Sequence, residues 1–175
     1  MRRLAPLLAS LVLALLALSG CGYHALGAAA HLPPDVRTLA VPAFATRTEA
    51  YHTEVVMTQA VIREFAQRTR LRVTPDVTPE ADAILHGIIL KETIAPLTYN
   101  SSTQESSSFQ IIVEASITLT ARDGAVLYEN KNYIYREQYQ STTNLPTYLQ
   151  ENPAAVERLS REFARQLVAD VLEGF

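Results

Sequence analysis

Between residues 110 and 121 the chain holds one parity. Ile111, Val113, Ala115, Ile117, Leu119 and Ala121 are apolar, Gln110, Glu114, Ser116, Thr118 and Thr120 are polar, and Ile112 alone breaks the pattern. Strand side chains point alternately to opposite faces, so this run is a β-strand with one packed face and one face turned to water or a partner. Asp123-Gly124 follows at once. That dipeptide supplies positive φ to a two-residue type I′ turn, so residues 125–139 are predicted to return antiparallel. In the returning run Val126 and Tyr128 occupy even positions, whereas Tyr133, Tyr135 and Tyr139 occupy odd ones. A bulge within residues 130–132 reconciles the two halves. A hairpin of this length cannot leave its apolar face bare, and the rest of the chain must supply the cover.

Two amphipathic stretches can do so. From about residue 50 to 68, Val55, Thr58, Ile62, Phe65 and Ala66 share one helical face, with Glu49 and Glu54 toward the start and Arg68 and Arg70 at the end, as the helix dipole prefers. The second has Asn152 as cap and Pro153 in the first helical position. Val156, Leu159, Phe163, Leu167 and Val171 then recur at spacings of three and four, with Glu157–Arg161 and Arg158–Glu162 as surface pairs. Short apolar runs at residues 37–44 and 71–77 flank the first helix. A strand, a helix and a strand in succession imply a parallel pair. Residues 83–90 are apolar on both parities, as in a central strand covered on both sides. Residues 98–108, rich in Ser and Thr, read as a long polar loop, either a plain solvent loop or one of the functional or mobile kind. The whole is an α+β fold, a two-layer sandwich in the order β-α-β-β-β-α, with two helices packed on one face of a small mixed sheet.

The N-terminus carries a second constraint. Arg2 and Arg3 precede an apolar run over residues 4–18, and Leu18-Ser19-Gly20 places small residues before Cys21, the one cysteine of the chain. Basic start, apolar core and small-residue site are the three parts of a secretory signal, and the run falls short of the roughly 20 apolar residues that span a bilayer. Leu-Ser-Gly-Cys resembles the lipobox of bacterial lipoproteins. The resemblance implies removal of residues 1–20 and acylation of Cys21, with residues 21–35, closed by Pro33-Pro34, as a spacer before a single domain at 36–175. An anchor of two or more acyl chains holds stably to a membrane. Gly22 after the cysteine favours the outer membrane over retention at the inner one.

Catalysis finds little support in the residues. With 15 basic against 18 acidic residues the chain has no nucleic-acid footprint. The sole cysteine is committed to lipid, no nucleophile-elbow pattern occurs, and His24, His31, His52 and His86 lack the close spacing of zinc ligands. Six scattered glycines form no phosphate loop. His86 is expected as a hydrogen-bonded core residue, and Asp76, Glu80 and Asp82 as turn residues between prolines. No catalytic, metal or cofactor site is predicted, and the chain is read as a non-enzyme. Tyrosines and amides crowd the returning strand (Tyr128, Asn130, Asn132, Tyr133, Tyr135, Gln138, Tyr139, Gln140), with Tyr148 beyond it. They fit either an interface or an ordinary exposed sheet face.

Several local sequences together resemble the lipopolysaccharide-assembly lipoprotein family, LptE. They are Cys21-Gly22-Tyr23-His24, the stretch from Leu32-Pro33-Pro34-Asp35 through Val41-Pro42-Ala43-Phe44, Arg70-Leu71-Arg72-Val73, Ala81-Asp82-Ala83-Ile84-Leu85-His86-Gly87 and Leu127-Tyr128-Glu129-Asn130. Ala45-Thr46-Arg47-Thr48 departs from relatives, which often carry Asn and then Pro-Gly there. The resemblance implies an outer-membrane lipoprotein on the periplasmic side that plugs the LptD β-barrel, supports its assembly and contacts lipopolysaccharide, without catalysis or cofactor. Phosphate groups favour Lys and Arg, so Lys91, Lys131 and Arg136 are the expected contacts with the anionic glycolipid. The alternatives are an accessory lipoprotein of another envelope transport or wall-synthesis complex, and a glycan hydrolase built on a carboxylate pair.

Overall fold

A computed structural model describes residues 32–48, 52–100, 105–140 and 145–174. Its elements are β1 (Thr38–Ala40), β2 (Ala45–Thr46), α1 (Thr53–Arg68), β3 (Arg72–Thr74), β4 (Ala83–Asn100), β5 (Glu105–Ala121), β6 (Val126–Gln140) and α2 (Leu145–Glu173). The strands lie in the order β3-β1-β4-β5-β6, with β2 beside β4. β1 runs parallel to both β3 and β4, while β4, β5 and β6 form an antiparallel meander. This is the α+β layout expected, with the short β2 added and the parallel β1–β3 pair bridged by α1.

The parity of β5 governs the core. Ile111, Val113, Ala115, Ile117 and Leu119 are each at most 1% exposed and cluster with Leu85 and Ile89 of β4, Phe65 of α1 and Leu159, Phe163 and Leu167 of α2. The core extends to Leu32 and Val36 ahead of the sheet. Thr58 ties α1 to the sheet: its hydroxyl donates to Glu54 O at 2.6 Å and accepts from Phe44 N at 2.9 Å. Below the sheet, Asp82 accepts from Arg37 N and Thr38 N at 3.0 and 2.9 Å and pairs with Arg122 at 2.8 Å. These amides, Arg37 before Thr38, hold its carboxyl below the usual range, with Arg122 adding a smaller pull.

Several expectations need correction. The β5–β6 turn is not type I′. Gly124 N donates to Ala121 O at 2.9 Å, Ala121 N to Ala125 O at 2.8 Å, and only Gly124 takes positive φ (89°). That is a type I turn followed by a glycine bulge, stabilised by Asp123 Oδ1 accepting from Ala125 N. Residues 98–108 are not a free loop: β4 and β5 continue to pair as far as Asn100 and Glu105, because Ser, Thr and Tyr suit an exposed strand as well as a loop. Only residues 101–104 of that stretch lie outside the described residues. α2 starts at Leu145 and takes Pro153 into its interior, where the ring removes one helical hydrogen bond. α1 is turned by roughly one residue step, about 100°, from the expected face. Met57, Val61 and Phe65 are buried, whereas Val55 and Ala66 are exposed. His86 is exposed on the uncovered side of β4, which is central but covered on one side only.

The bulge in β6 is where parity placed it. Ala115 opposes Tyr133 but Ile117 opposes Asn130, so Lys131 and Asn132 face the single residue Ser116, and Asn130 Oδ1 accepts from Asn132 N at 2.9 Å. The extra residue brings Tyr133, Tyr135 and Tyr139 to the helix side. There Phe163 meets Tyr133 and Tyr135 edge-on, at 5.7 and 5.3 Å between centroids, and Phe44 at 6.3 Å. The tyrosines therefore do not form an exposed face.

Candidate functional site

The helices cover one face of the sheet, and among the described residues none covers the other, the bare face. Cross-strand register aligns its residues into rows: His86–Thr118–Glu129, Lys91–Glu114–Ile134, Thr93–Ile112–Arg136 and Ala95–Gln110–Gln138. Lys91 reaches this face through a break in the β4 register between Ile89 and Lys91. Lys91 and Arg136 are thus brought together on one surface, exposed, two strands and two residues apart, or roughly 12 Å between Cα atoms. Glu114 sits directly beside Lys91. Lys131 stands apart in the bulge and pairs with Glu129 at 3.1 Å, so its ammonium already has a counter-ion. Cys21 lies outside the described residues, as does the whole signal segment.

A second feature escaped sequence reasoning. A cleft of about 920 Å³ opens between the start of α1, β4 and the middle of α2, lined by Thr53, Val56, Glu92, Ile94, Pro153 and Val156 among others. Burial, and more weakly the nearby Glu54, pushes the Glu92 carboxyl above its usual range, against a hydrogen bond from Thr53. The Oε2 atoms of Glu92 and Glu54 are both buried without a hydrogen-bond partner. The register break brings this about by turning Glu92 toward the helices. In the sequence its only trace is a lone carboxylate inside a β-rich run. Among the described residues no group of three or more His, Cys, Asp or Glu could hold a metal ion.

A third polar cluster joins β6 to α2. Tyr133 donates to Asp170 Oδ2 at 2.6 Å and contacts the Tyr128 hydroxyl, while Gln166 donates to Asp170 Oδ1 at 2.6 Å. Burial first, then these bonds, hold the Tyr133 phenol well above its ordinary range, so it remains a neutral donor. Arg158 pairs with Glu137 of β6 at 2.6 Å instead of with Glu162, which contacts Arg165; the expected Glu157–Arg161 pair forms at 3.6 Å. These contacts lock the helix layer to the sheet and leave the opposite face as the surface free for function. Among the described residues no helix is long and apolar enough to cross a membrane.

No curated protein matches the chain. Among solved structures, a lipoprotein from Caulobacter crescentus CB15 is similar at 12% identity, covering 75% of this chain and 89% of its own, with a TM-score of 0.52. A minor lipoprotein from Acinetobacter baumannii is similar at 12% identity over 81% of this chain and 95% of its own, with a TM-score of 0.51. At such identities the likeness establishes the fold. The family model described as LptE, lipopolysaccharide-assembly, matches residues 36–171, the sheet and both helices together. By that match the chain belongs to the LptE lipopolysaccharide-assembly family of lipoproteins.

Proposed function

We propose that this chain is an outer-membrane lipoprotein, anchored on the periplasmic side through an acylated Cys21, that plugs the LptD β-barrel and supports its assembly for lipopolysaccharide transport. In this reading residues 1–20 are removed, residues 21–35 form the tether, and residues 36–175 are the single docking domain, without catalysis. The observation that carries it, beside family membership, is the bare sheet face. Its rows mix Thr, Ser, Gln and charged residues with a few aliphatics, a composition suited to the polar interior of a transmembrane barrel. The long axis supports it too. The entry at Leu32 and the turn at Gly124 lie at one end of the sheet, and the last described β4–β5 pair, Asn100 with Glu105, lies at the other, about 55 Å away for an 18-residue strand. A chain held at its N-terminus would present that far end of the sheet to the barrel lumen.

Capture of the tagged full chain from mildly solubilised outer membranes is the test. Recovery of an outer-membrane barrel is expected. Recovery of an inner-membrane transporter or wall-synthesis enzyme instead overturns this reading in favour of the alternative accessory role. Cys21→Ser should release the chain from the membrane fraction. Lys91, Lys131 and Arg136 are assigned to contact the glycolipid phosphates, with Lys91 and Arg136 acting together across Glu114. Replacing each by Gln should weaken lipopolysaccharide binding, and unchanged binding in the triple variant refutes the assignment.

A further inference from the structure

β6 is the outermost strand of the sheet and runs for 15 residues, and among the described residues none pairs along its outer side. A free edge offers N–H and C=O groups to any extended chain, and folded proteins ordinarily blunt it with proline, bulges or brevity. The other edges here are blunted. β3 is three residues long, and the stretch of β4 beyond β2 carries Pro96 and register breaks on both sides of it. β6 has register breaks at Leu127 and at Lys131–Asn132, both before residue 133, so residues 133–140 form a straight ladder without proline. On its two faces this half presents Ile134, 39% exposed, and the half-buried Tyr135, which leaves apolar surface at the rim on both sides.

We infer that residues 133–140 of β6 are a strand-addition site, and that its occupant is an extended segment of the barrel partner's own chain, with apolar side chains set against Ile134 and Tyr135. The occupant rests on the barrel reading above. Main-chain hydrogen bonds would supply affinity, and the two apolar rims would supply register. A second copy of β6 fits poorly. Two-fold pairing centred on Arg136 or Glu137 sets like charges opposite one another, and pairing centred on Ile134 or Tyr135 runs the ladder into the bulge.

The test is amide hydrogen exchange on the full lipoprotein, free in detergent and in the captured barrel complex. Every second amide of residues 133–140 should exchange at least tenfold more slowly in the complex, while amides of the β4 stretch 91–97 on the opposite edge change less. A photocrosslinker at Gln140 should reach an extended segment of the barrel, and one at Gln59 on α1 should not. Unchanged β6 rates in a complex that does contain the barrel overturn this inference and leave the docking reading intact. Protection that tracks lipoprotein concentration without a partner assigns the edge to a second copy and also overturns it. Capture of no barrel overturns both.

Discussion

Replacing Gly87 by alanine tests the packing of β4 against the Phe44 ring. A Cβ built on Gly87 lies 2.6 Å from Cγ and Cδ1 of Phe44 and 2.7 Å from Cδ2. Contacts that short do not occur, so either the ring or β4 must move by close to 1 Å. The ring has little freedom, being 3% exposed and edge-on to Phe163. Overpacking of this kind costs about 1 to 3 kcal/mol, and the absence of a far flexible end places Gly87→Ala toward the upper figure. Gly87 does not have positive φ, so alanine brings no backbone strain and a small gain from a stiffer unfolded chain offsets part of the cost. For a domain of this size about 2 kcal/mol lowers the melting temperature by roughly 5 to 10 °C. Circular dichroism melts of the detergent-solubilised chain would read it. Phe44→Leu removes the obstructing ring edge, so the double variant should be more stable than the two single effects predict, by about 1 to 2 kcal/mol. Gly124→Ala is the control: its position is open but at φ 89°, so it should cost about 1 kcal/mol with no rescue by Phe44→Leu. A Gly87→Ala chain as stable as the parent, or a coupling near zero, refutes the steric argument.

Other consequences follow from polar groups. Asp82 has a lowered folded pKa, so its contribution is present above the unfolded value near 3.8 and is lost as pH falls through the folded value. Asp82→Asn should flatten the acid limb of the melting curve below about pH 4. Glu92 has the opposite sign. Its raised folded pKa makes the charged form a liability that sets in as pH rises from 4.5 through the folded value, so Glu92→Gln should melt higher at pH 7 and converge with the parent in acid. Ser160 buries a hydroxyl that makes no hydrogen bond, and Ser160→Ala should stabilise by about 1 kcal/mol in urea unfolding. Tyr133→Phe strips a bond to the Asp170 carboxylate and should cost about 1.5 to 3 kcal/mol in the same assay.

The sequence was legible wherever a period and a burial pattern coincide. β5 has a single apolar parity and one covered face, so its core residues follow directly from alternation, and the α2 seam from Val156 to Val171 does likewise. The bulge was legible because a strand cannot change parity without one. Where apolar residues surround an element, the sequence underdetermines its orientation. α1 carries Val55, Val56, Met57, Val61 and Ile62 around much of its circumference, and only tertiary burial in the shared core selects Met57 and Val61. Polarity misled at residues 98–108 and proline misled at residue 153, since both features mark loops or starts locally while tertiary pairing decides otherwise. The joining of Lys91 with Arg136, and the inward turn of Glu92, both depend on one register break in β4. No local signal marks that break.

If core and docking surface lie on opposite faces of one sheet, stability and recognition can be separated by parity in a single strand. Thr118 and Leu119 are neighbours on β5. Leu119 is fully buried, whereas Thr118 stands between His86 and Glu129 on the bare face, both of them exposed. Leu119→Ala leaves a cavity among helix and sheet side chains and should cost about 2 to 5 kcal/mol, losing partner capture only through unfolding. Thr118→Trp adds bulk on the face that no described residue covers, so its melting should stay within about 0.5 kcal/mol of the parent. A rigid ring standing off the middle of a docking face would nevertheless hold the barrel wall away, and capture of the barrel should fall at least tenfold. Should Thr118→Trp melt normally and still capture the barrel as the parent does, the bare face is not the surface that meets it.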